Sequence, residues 1–375
     1  MTDAVPTQAR QLFSTVNEDG TLDLSIRDVP VPVPTGDQVL VRVGATPINP
    51  SDLAVLLSVA DPNAFASVDG VARAPIPEAL RRFSAPRVGK SIQVGNEGAG
   101  TVVAAGDDPA AQALIGKTVG SWGGAFYAQY RLLRASDCLV LPDGVSAEEG
   151  ASSFINPMTV LAMLFTMRRE GFGGIVHTAA ASNLGQMLVK HTRDEGVPLV
   201  NIVRSAAQAA LLRELGATHI VDSSADDFMP RLIEAIAETQ AFLAFDAIGG
   251  GKLANQILTA MEAAAIRTDP ATGPYGSNTR KQVYIYGGLN TAPTEITRTF
   301  GMQWGVGGWL VTPQLHIAGA ETVAAMRAKV AAEIRTTFAS AYTARITLDE
   351  AIKPDVIAAY NRRATGEKYL IVPNG

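Results

Sequence analysis

The sequence predicts an α/β protein in two parts, a β-rich module followed by a doubly wound parallel sheet, with a C-terminal segment completing the first part. Three observations carry this prediction. The first half is rich in β-branched residues punctuated by Pro and Gly, in short runs where apolar residues alternate with others. From Ser146 onward, strand-like runs alternate with amphipathic stretches, the pattern of a parallel sheet covered by helices. The chain has 375 residues, which at roughly 150 per domain favours two domains.

In chain order, strands are expected at 29–34, 38–43, 100–105 (ended by Gly106 and two aspartates), 117–121 and 128–132. Between Leu57 and Lys90 the chain changes character, with Asp61-Pro62-Asn63, Pro75 and Pro77, and reads as a long excursion with one short helix at 78–83. Its basic cluster, Arg81, Arg82, Arg87 and Lys90, is either a solvated loop face or a lid carrying cations for an anionic substrate. The second part begins with strand 175–178 and helix 184–193. Strand 198–203 follows, then a helix that Ser205 can cap and Gly216 ends. Strand 219–221, helix 226–239 and strand 242–245 lead to Asp246 and the triplet Gly249-Gly250-Gly251. A helix to Ala265, a polar loop with Pro270, Gly273 and Pro274, and strand 282–286 closed by Gly287 and Gly288 come next. Helices at 320–338 and 348–364 and a last strand at 369–372 finish the chain, which divides at 1–150, 151–312 and 313–375.

Composition narrows the function. Thirty-one basic against 36 acidic residues give a net charge of -5, so nucleic acid is not expected as a partner, because phosphate binding needs a concentrated basic surface. A single cysteine, Cys138, excludes an internal disulfide and any zinc site built from several thiolates. The apolar stretch from Met158 to Met167 is well short of the ~20 residues of a spanning helix, and no signal peptide is read before Arg10. A soluble, cytoplasmic protein with no membrane partner is expected.

The turn after strand 175–178 reads Thr178-Ala179-Ala180-Ala181-Ser182-Asn183-Leu184-Gly185. A dinucleotide site needs small residues here, so that amides at a helix N-terminus approach a pyrophosphate and the helix packs closely on its strand. Only Gly185 matches the three-glycine fingerprint, so the turn alone is also compatible with an ordinary strand-to-helix connection. At the end of the next strand, where an NAD site places an acid, the chain has Arg204 and no acid from Val197 to Ala210. An arginine there matches a 2′-phosphate bidentately and points to NADPH; the alternative is a solvated arginine after a strand.

Ile48-Asn49-Pro50-Ser51-Asp52, Val94-Gly95-Asn96-Glu97-Gly98-Ala99-Gly100 with Thr101-Val102-Val103, Asn156-Pro157-Met158-Thr159, the turn above and Tyr286-Gly287-Gly288 occur in this order. Together they resemble the medium-chain dehydrogenase/reductase superfamily, and within it the zinc-free quinone oxidoreductases and enoyl-thioester reductases. The resemblance runs from about Ser25 to Pro373, with 57–90 as an insertion. It implies a GroES-like domain completed by C-terminal segments, a Rossmann dinucleotide-binding domain, and an active site in the cleft between them. Zinc-dependent relatives have a Cys-His pair where this chain has Asn49-Pro50 and a histidine where it has Asn96. Without those ligands no metal is expected, alcohol oxidation is disfavoured and reduction of an activated acceptor is the natural chemistry.

Carried over residue by residue, the resemblance implies that Asn49 faces nicotinamide and substrate, and that Asn156 and Thr159 lie beside the cofactor. Ser182, Asn183, Leu184 and Gly185 would hold the pyrophosphate and Arg204 the 2′-phosphate. Tyr286, Gly287, Gly288 and Leu289, with Gly308, Trp309 and Leu310, would flank the nicotinamide ribose, and Lys368 would approach a phosphate. Enoyl-thioester reductases carry a tyrosine shortly after the Asn-Pro-Ser-Asp motif, and this chain has none between Asn49 and Asn96. The proton donor is therefore unassigned, with Tyr127, Tyr130 and solvent as candidates. His177, His191 and His219 show no metal or triad spacing, and Cys138 reads as a small buried residue.

The expected activity is an NADPH-dependent reductase passing hydride to a quinone or an α,β-unsaturated carbonyl. An enoyl thioester is the alternative acceptor. A non-catalytic NADPH-binding sensor or structural protein is the reading from another class. The uncharged run from Trp304 to Val311 resembles the superfamily's dimer edge and implies a homodimer.

Overall fold

Val39, Val41 and Val43 alternate along strand Gln38–Pro47 and turn one face inward. That strand organises the first of two units in the computed structural model, which describes residues 5–268, 273–362 and 367–375. The first unit comprises Met1–Ile155 and Arg327–Gly375, the second Asn156–Met326. The divisions expected after 150 and 312 thus fall after 155 and 326, because helix Val311–Ala332 carries the chain past the second of them.

In the first unit, Gln38–Pro47 pairs antiparallel with Glu97–Ala105, Tyr130–Arg134 and the C-terminal strand Tyr369–Ile371. Thr118–Trp122, Leu139–Val140 and Ala344–Ile346 extend this seven-stranded sheet. Its valines pack with Val102, Val119, Phe126 and Leu133. Cys138 joins them, its thiol pushed up to about 12 by burial, as an unreactive core residue. A five-stranded antiparallel sheet runs in the order Ala66–Val68, Val71–Pro75, Thr21–Pro30, Gln8–Val16, Ser91–Gln93. Of the expected strand at 29–34 only residues 29 and 30 are strand, as the end of Thr21–Pro30, and Gln8–Val16 was not anticipated.

The excursion at 57–90 needs correction. Ala66–Val68 and Val71–Pro75 form a hairpin whose second strand pairs with Thr21–Pro30, and Phe65, Ala72, Ala74 and Ile76 enter the core. The hairpin turns on Asp69 at φ 49° and Gly70 at φ 79°, the left-handed pair that a two-residue turn requires. The basic cluster serves this packing. Arg87 donates to the Val55 carbonyl at 2.8 Å and to Ser14 Oγ at 2.9 Å, and Lys90 donates to the Pro86 carbonyl at 2.9 Å. Arg82 lies on the Phe83 ring.

The second unit holds a six-stranded parallel sheet in the order His219–Asp222, Leu199–Val203, Ile175–His177, Leu243–Asp246, Lys281–Ile285, Trp304–Gly308. Helices Asn183–Asp194, Ala206–Glu214, Phe228–Thr239 and Leu253–Thr268 connect the first five strands. Ser205 caps Ala206–Glu214 as expected, its Oγ accepting from Gln208 N–H. Gly249–Gly251 unexpectedly forms a small parallel pair with Asn290–Thr294. The helix expected at 320–338 begins at Val311, is interrupted at Gly319 (φ 81°) and ends at Ala332. The one expected at 348–364 is two short helices, Leu348–Ala351 and Pro354–Asn361, because Pro354 starts the second. Pro270, Ala364 and Gly366, which carried expectations, lie outside the described residues. The run Ala147–Arg169 has the length and hydropathy of a spanning segment, and 89% of its most apolar window is buried, as in a core helix.

Inside the second unit, Lys281 is fully buried and donates to Glu262 Oε2 at 2.6 Å, Ser277 Oγ at 2.8 Å and the Thr279 carbonyl at 2.8 Å. Burial alone would raise the Glu262 carboxyl, but the Lys281 ammonium and Ser277 donors outweigh it and hold the group below its ordinary value. Replacing Lys281 by Met strands this carboxylate and should cost about 3–5 kcal/mol. The double variant Lys281→Met, Glu262→Leu should recover much of that loss in urea denaturation. Equal stability of wild type and the single variant would show that the pair is not carrying the loop.

Candidate functional site

In the first unit, Asn49-Pro50-Ser51-Asp52 opens helix Pro50–Leu56. Pro50 presets its first turn, and Asp52 Oδ2 accepts from Asn49 N–H at 2.8 Å, the carboxylate half of a capping box. Asp52 Oδ1 accepts from Asn96 N–H at 2.7 Å, which ties this helix to the start of strand Glu97–Ala105. Asn49 Nδ2 donates to Glu97 Oε1 at 2.8 Å, while Asn49 Oδ1 is buried without a hydrogen-bond partner. Glu97 Oε2 accepts from the N–H groups of Phe154 and Ile155 at 2.9 and 2.8 Å. Asn49, Asp52 and Glu97 are each about 1% exposed. Burial raises Asp52 to about 7 against the pull of its two backbone donors, and burial likewise raises Glu97, opposed first by the charge of Lys368.

Sequence reasoning singled out Asn49 here but not Asp52, Glu97, Ser152 or Tyr342. The first two stood in quoted motifs, and the spacing of Asn49 to Asp52 is itself a capping signal. Ser152 and Tyr342 carried no local signal, since only the tertiary fold brings them together, 2.9 Å apart. Lys368, expected at a phosphate, donates to Ser152 Oγ at 2.7 Å. Tyr127 is ruled out as an exposed proton donor. It is fully buried, its hydroxyl donates to the Pro47 carbonyl at 3.2 Å, and burial raises its phenol well above the ordinary value. Tyr130 is half-buried on strand Tyr130–Arg134.

In the second unit the turn after Ile175–His177 is built tightly. Ala179 takes φ 51°, a conformation in which alanine is strained and glycine is not. Ser182 caps helix Asn183–Asp194 through its Oγ, which accepts from Gly185 N–H at 3.1 Å. A Cβ on Gly185 would stand 2.1 Å from the Ala180 carbonyl oxygen, so only glycine lets helix and turn approach this closely. Leu184 is half-buried at the start of that helix, and Asn183 precedes it. These positions fit a pyrophosphate at a helix N-terminus. Arg204 follows strand Leu199–Val203, is exposed, and among the described residues its guanidinium has no hydrogen-bond or ion-pair partner. Asn156 and Thr159 are buried on helix Ile155–Arg169.

At the carboxyl ends of the last two strands, Ile285, Tyr286, Gly287, Gly308, Trp309 and Leu310 line a pocket of about 520 Å³. Gly288 and Leu289 continue the same segment, Leu289 exposed. Tyr286 OH lies 2.8 Å from His177 Nε2, and Trp309 Nε1 donates to Thr166 Oγ1 at 3.2 Å. The two rings meet edge to face. Behind it Asp246 accepts from Thr178 Oγ1 and from the N–H groups of Ile248 and Gly249. His177, which shows no metal or triad spacing in the sequence, is therefore what orients Tyr286. No three His, Cys, Asp or Glu side chains converge as a metal site among the described residues.

No family model matches the chain. A quinone oxidoreductase of Pseudomonas aeruginosa is 28% identical over 167 residues, 44% of this chain and 51% of that protein. The mitochondrial enoyl-acyl-carrier-protein reductase of Bos taurus is 24% identical over 229 residues, 58% of this chain and 54% of that protein. The chain thus spans about half the length of the curated relatives it matches. Among solved structures, a Mesorhizobium loti protein assigned as an NADPH:quinone reductase superposes with a TM-score of 0.74 at 26% identity, covering 99% of this chain and all of that one. The Escherichia coli quinone oxidoreductase complexed with NADPH gives 0.70 at 17% identity, over 97% of this chain and 100% of its own, a likeness of fold.

Burial holds His177 neutral by depressing its imidazole to about 3. The unfolded chain takes up a proton below the ordinary value near 6.5, whereas the folded chain does not until about 3. Its contribution to stability is complete above 6.5 and is lost as pH falls through that window. Between pH 7 and 5 the wild type should lose about 2 kcal/mol more than His177→Gln. Parallel urea midpoints for the two proteins over that range would refute the buried neutral imidazole.

Proposed function

We propose, for a chain that belongs to the medium-chain dehydrogenase/reductase superfamily beside its zinc-free quinone oxidoreductases, an NADPH-dependent reductase of quinones or α,β-unsaturated carbonyl compounds. The observation that carries the cofactor half is Arg204, exposed and unpaired among the described residues at the end of strand Leu199–Val203, a strand tied through Ile202 to the tight strand-to-helix turn that would receive a pyrophosphate. The fold shared with a quinone oxidoreductase complexed with NADPH supports it.

When bound, NADPH supplies the hydride. The chain's own residues bind and orient. Ser182 to Gly185 would hold the pyrophosphate and Arg204 the 2′-phosphate. The Tyr286–Trp309 wall, fixed by His177 and Thr166, would bound the ribose and nicotinamide. Asn49, its Nδ2 committed to Glu97, offers the unpartnered Oδ1 as an acceptor to a donor on the ligand. The enoyl-thioester reading has its own support in Asn96-Glu97-Gly98 and in the mitochondrial relative; the missing tyrosine weighs against it.

Incubating the protein with NADPH and a panel of quinones, enones and enoyl thioesters tests the activity. Cofactor oxidation is expected with quinones or enones. Tight NADPH binding with no turnover on any of them would support a non-catalytic NADPH-binding protein instead. Arg204→Ala should lose about 10- to 150-fold in preference for NADPH while leaving NADH kinetics nearly unchanged, and Arg204→Asp should invert the preference. An unchanged cofactor ratio in both would reduce Arg204 to a surface residue.

A cytoplasmic homodimer completes the proposal. Trp304–Gly308 is the end strand of the parallel sheet, and Leu310 beside it is 62% exposed. An uncharged edge of this kind invites pairing with a second copy. Sedimentation at micromolar protein should give twice the 39.3 kDa chain mass; a monomer would reject the dimer.

A further inference from the structure

The C-terminal strand brings Lys368 beside the residues that lead into Asn49. Leu370 pairs with Pro47, and Ile48 N–H donates to the Tyr369 carbonyl at 3.0 Å. From there the Lys368 ammonium donates to Ser152 Oγ at 2.7 Å and sits 5.6 Å from the centre of the Tyr342 ring. Ser152 is 1% exposed, and its Oγ also meets Tyr342 OH. The charges that reach Lys368 are the buried carboxylates Glu97 and Asp52; burial lowers the ammonium to about 8, and the two carboxylates work against that fall. Among the described residues, Tyr127 and Tyr342 also stand near the carboxylates, with Tyr360 acting on the first and Glu148 on the second, and both phenols are raised by burial and stay neutral.

Two carboxylates cannot both be ionised cheaply in one interior cluster, and a single cation decides how much charge survives. Glu97 already gathers three N–H donors, from Asn49, Phe154 and Ile155, so it is the member built to stay ionised. An ionised carboxylate only accepts. Facing it, the Asn49 amide must present Nδ2, and that leaves Oδ1, buried and unpartnered, as a fixed acceptor. A protonated Glu97 could donate to Oδ1 and let the amide turn over.

We propose that Lys368 is a positioning residue that keeps Glu97 ionised and so holds Asn49 Oδ1 as the acceptor for a hydroxyl or amide N–H of the bound ligand. The cation acts within the first unit and not on a phosphate. The charge half of this proposal stands alone; the ligand half rests on the reading of the chain as a nicotinamide-dependent reductase.

Infrared spectroscopy near neutral pH reads the charge directly. Lys368→Met should gain a protonated-carboxyl band that disappears when Glu97→Gln is added and persists when Asp52→Asn is added. Calorimetry with NADPH and, separately, with a hydroquinone should show which ligand carries the donor. Binding of that ligand should weaken about 10-fold in Lys368→Met, recover in Lys368→Arg, and recover in Lys368→Met itself as rising pH ionises Glu97 unaided. A folded Lys368→Met, checked by circular dichroism, that lacks the new band would overturn the proposal. So would a loss confined to NADPH and constant with pH, which is the signature of a phosphate contact. If the wild type bound neither ligand, the nicotinamide reading would fall while the infrared result still decided the role of Lys368.

Discussion

Glu97 is the group around which the first unit closes. A carboxylate 1% exposed would be prohibitively costly without compensation, and the compensation comes from three distant parts of the chain. Asn49 arrives from the end of the central strand, the Phe154 and Ile155 amides from the start of helix Ile155–Arg169, and the Lys368 charge from the C-terminal strand. Moving any one of them leaves a buried charge unpaid for. The residues near 49, 97, 154 and 368 are therefore held in one arrangement by electrostatics as much as by packing.

The second unit meets the same problem with neutral groups. His177 and Tyr286 satisfy one another at 2.8 Å, and Trp309 finds Thr166 at 3.2 Å. Aromatic rings give the pocket wall its area, and Tyr286 OH, His177 Nε2 and Trp309 Nε1 each find a partner inside, while His177 Nδ1 is buried without one. At the nucleotide turn, Ala179 accepts strain and Gly185 yields its side-chain space; together they let a turn with one fingerprint glycine still pack tightly.

Most of the parallel sheet was legible in the sequence because its strands are short apolar runs separated by capped helices, as Ser205 illustrates. The hairpin at 66–75 was not, although Asp69-Gly70 is a strong two-residue turn signal. Its strands alternate alanine with arginine and carry little apolar volume, so the prolines dominated the reading. Of the candidate site, the residues of the nucleotide turn and of the pocket are neighbours along short segments, which is why a local pattern can name them together. The polar cluster behind Asn49 was hidden, because Ser152, Tyr342 and Lys368 are separated by up to 216 residues and meet only through strand pairing. Local pattern cannot report such a contact.

Burial and partners sort the cations that sequence alone left equivalent. Arg87 spends its donors on the Val55 carbonyl and Ser14 Oγ and Lys90 on the Pro86 carbonyl, so they tie the insertion down and are poorly placed to clamp a mobile anion. Lys368 is drawn inward by two carboxylates and a hydroxyl, and withdrawing it toward a phosphate would take from Glu97 the cation that favours its ionised form. Arg204 differs from all three in being exposed and unpaired among the described residues, so a ligand phosphate would gain its charge without breaking any internal bond. A cation serves a ligand only when the fold has not already used it, and by that criterion Arg204 keeps its charge available to a ligand while Lys368 is held within the Asn49 cluster.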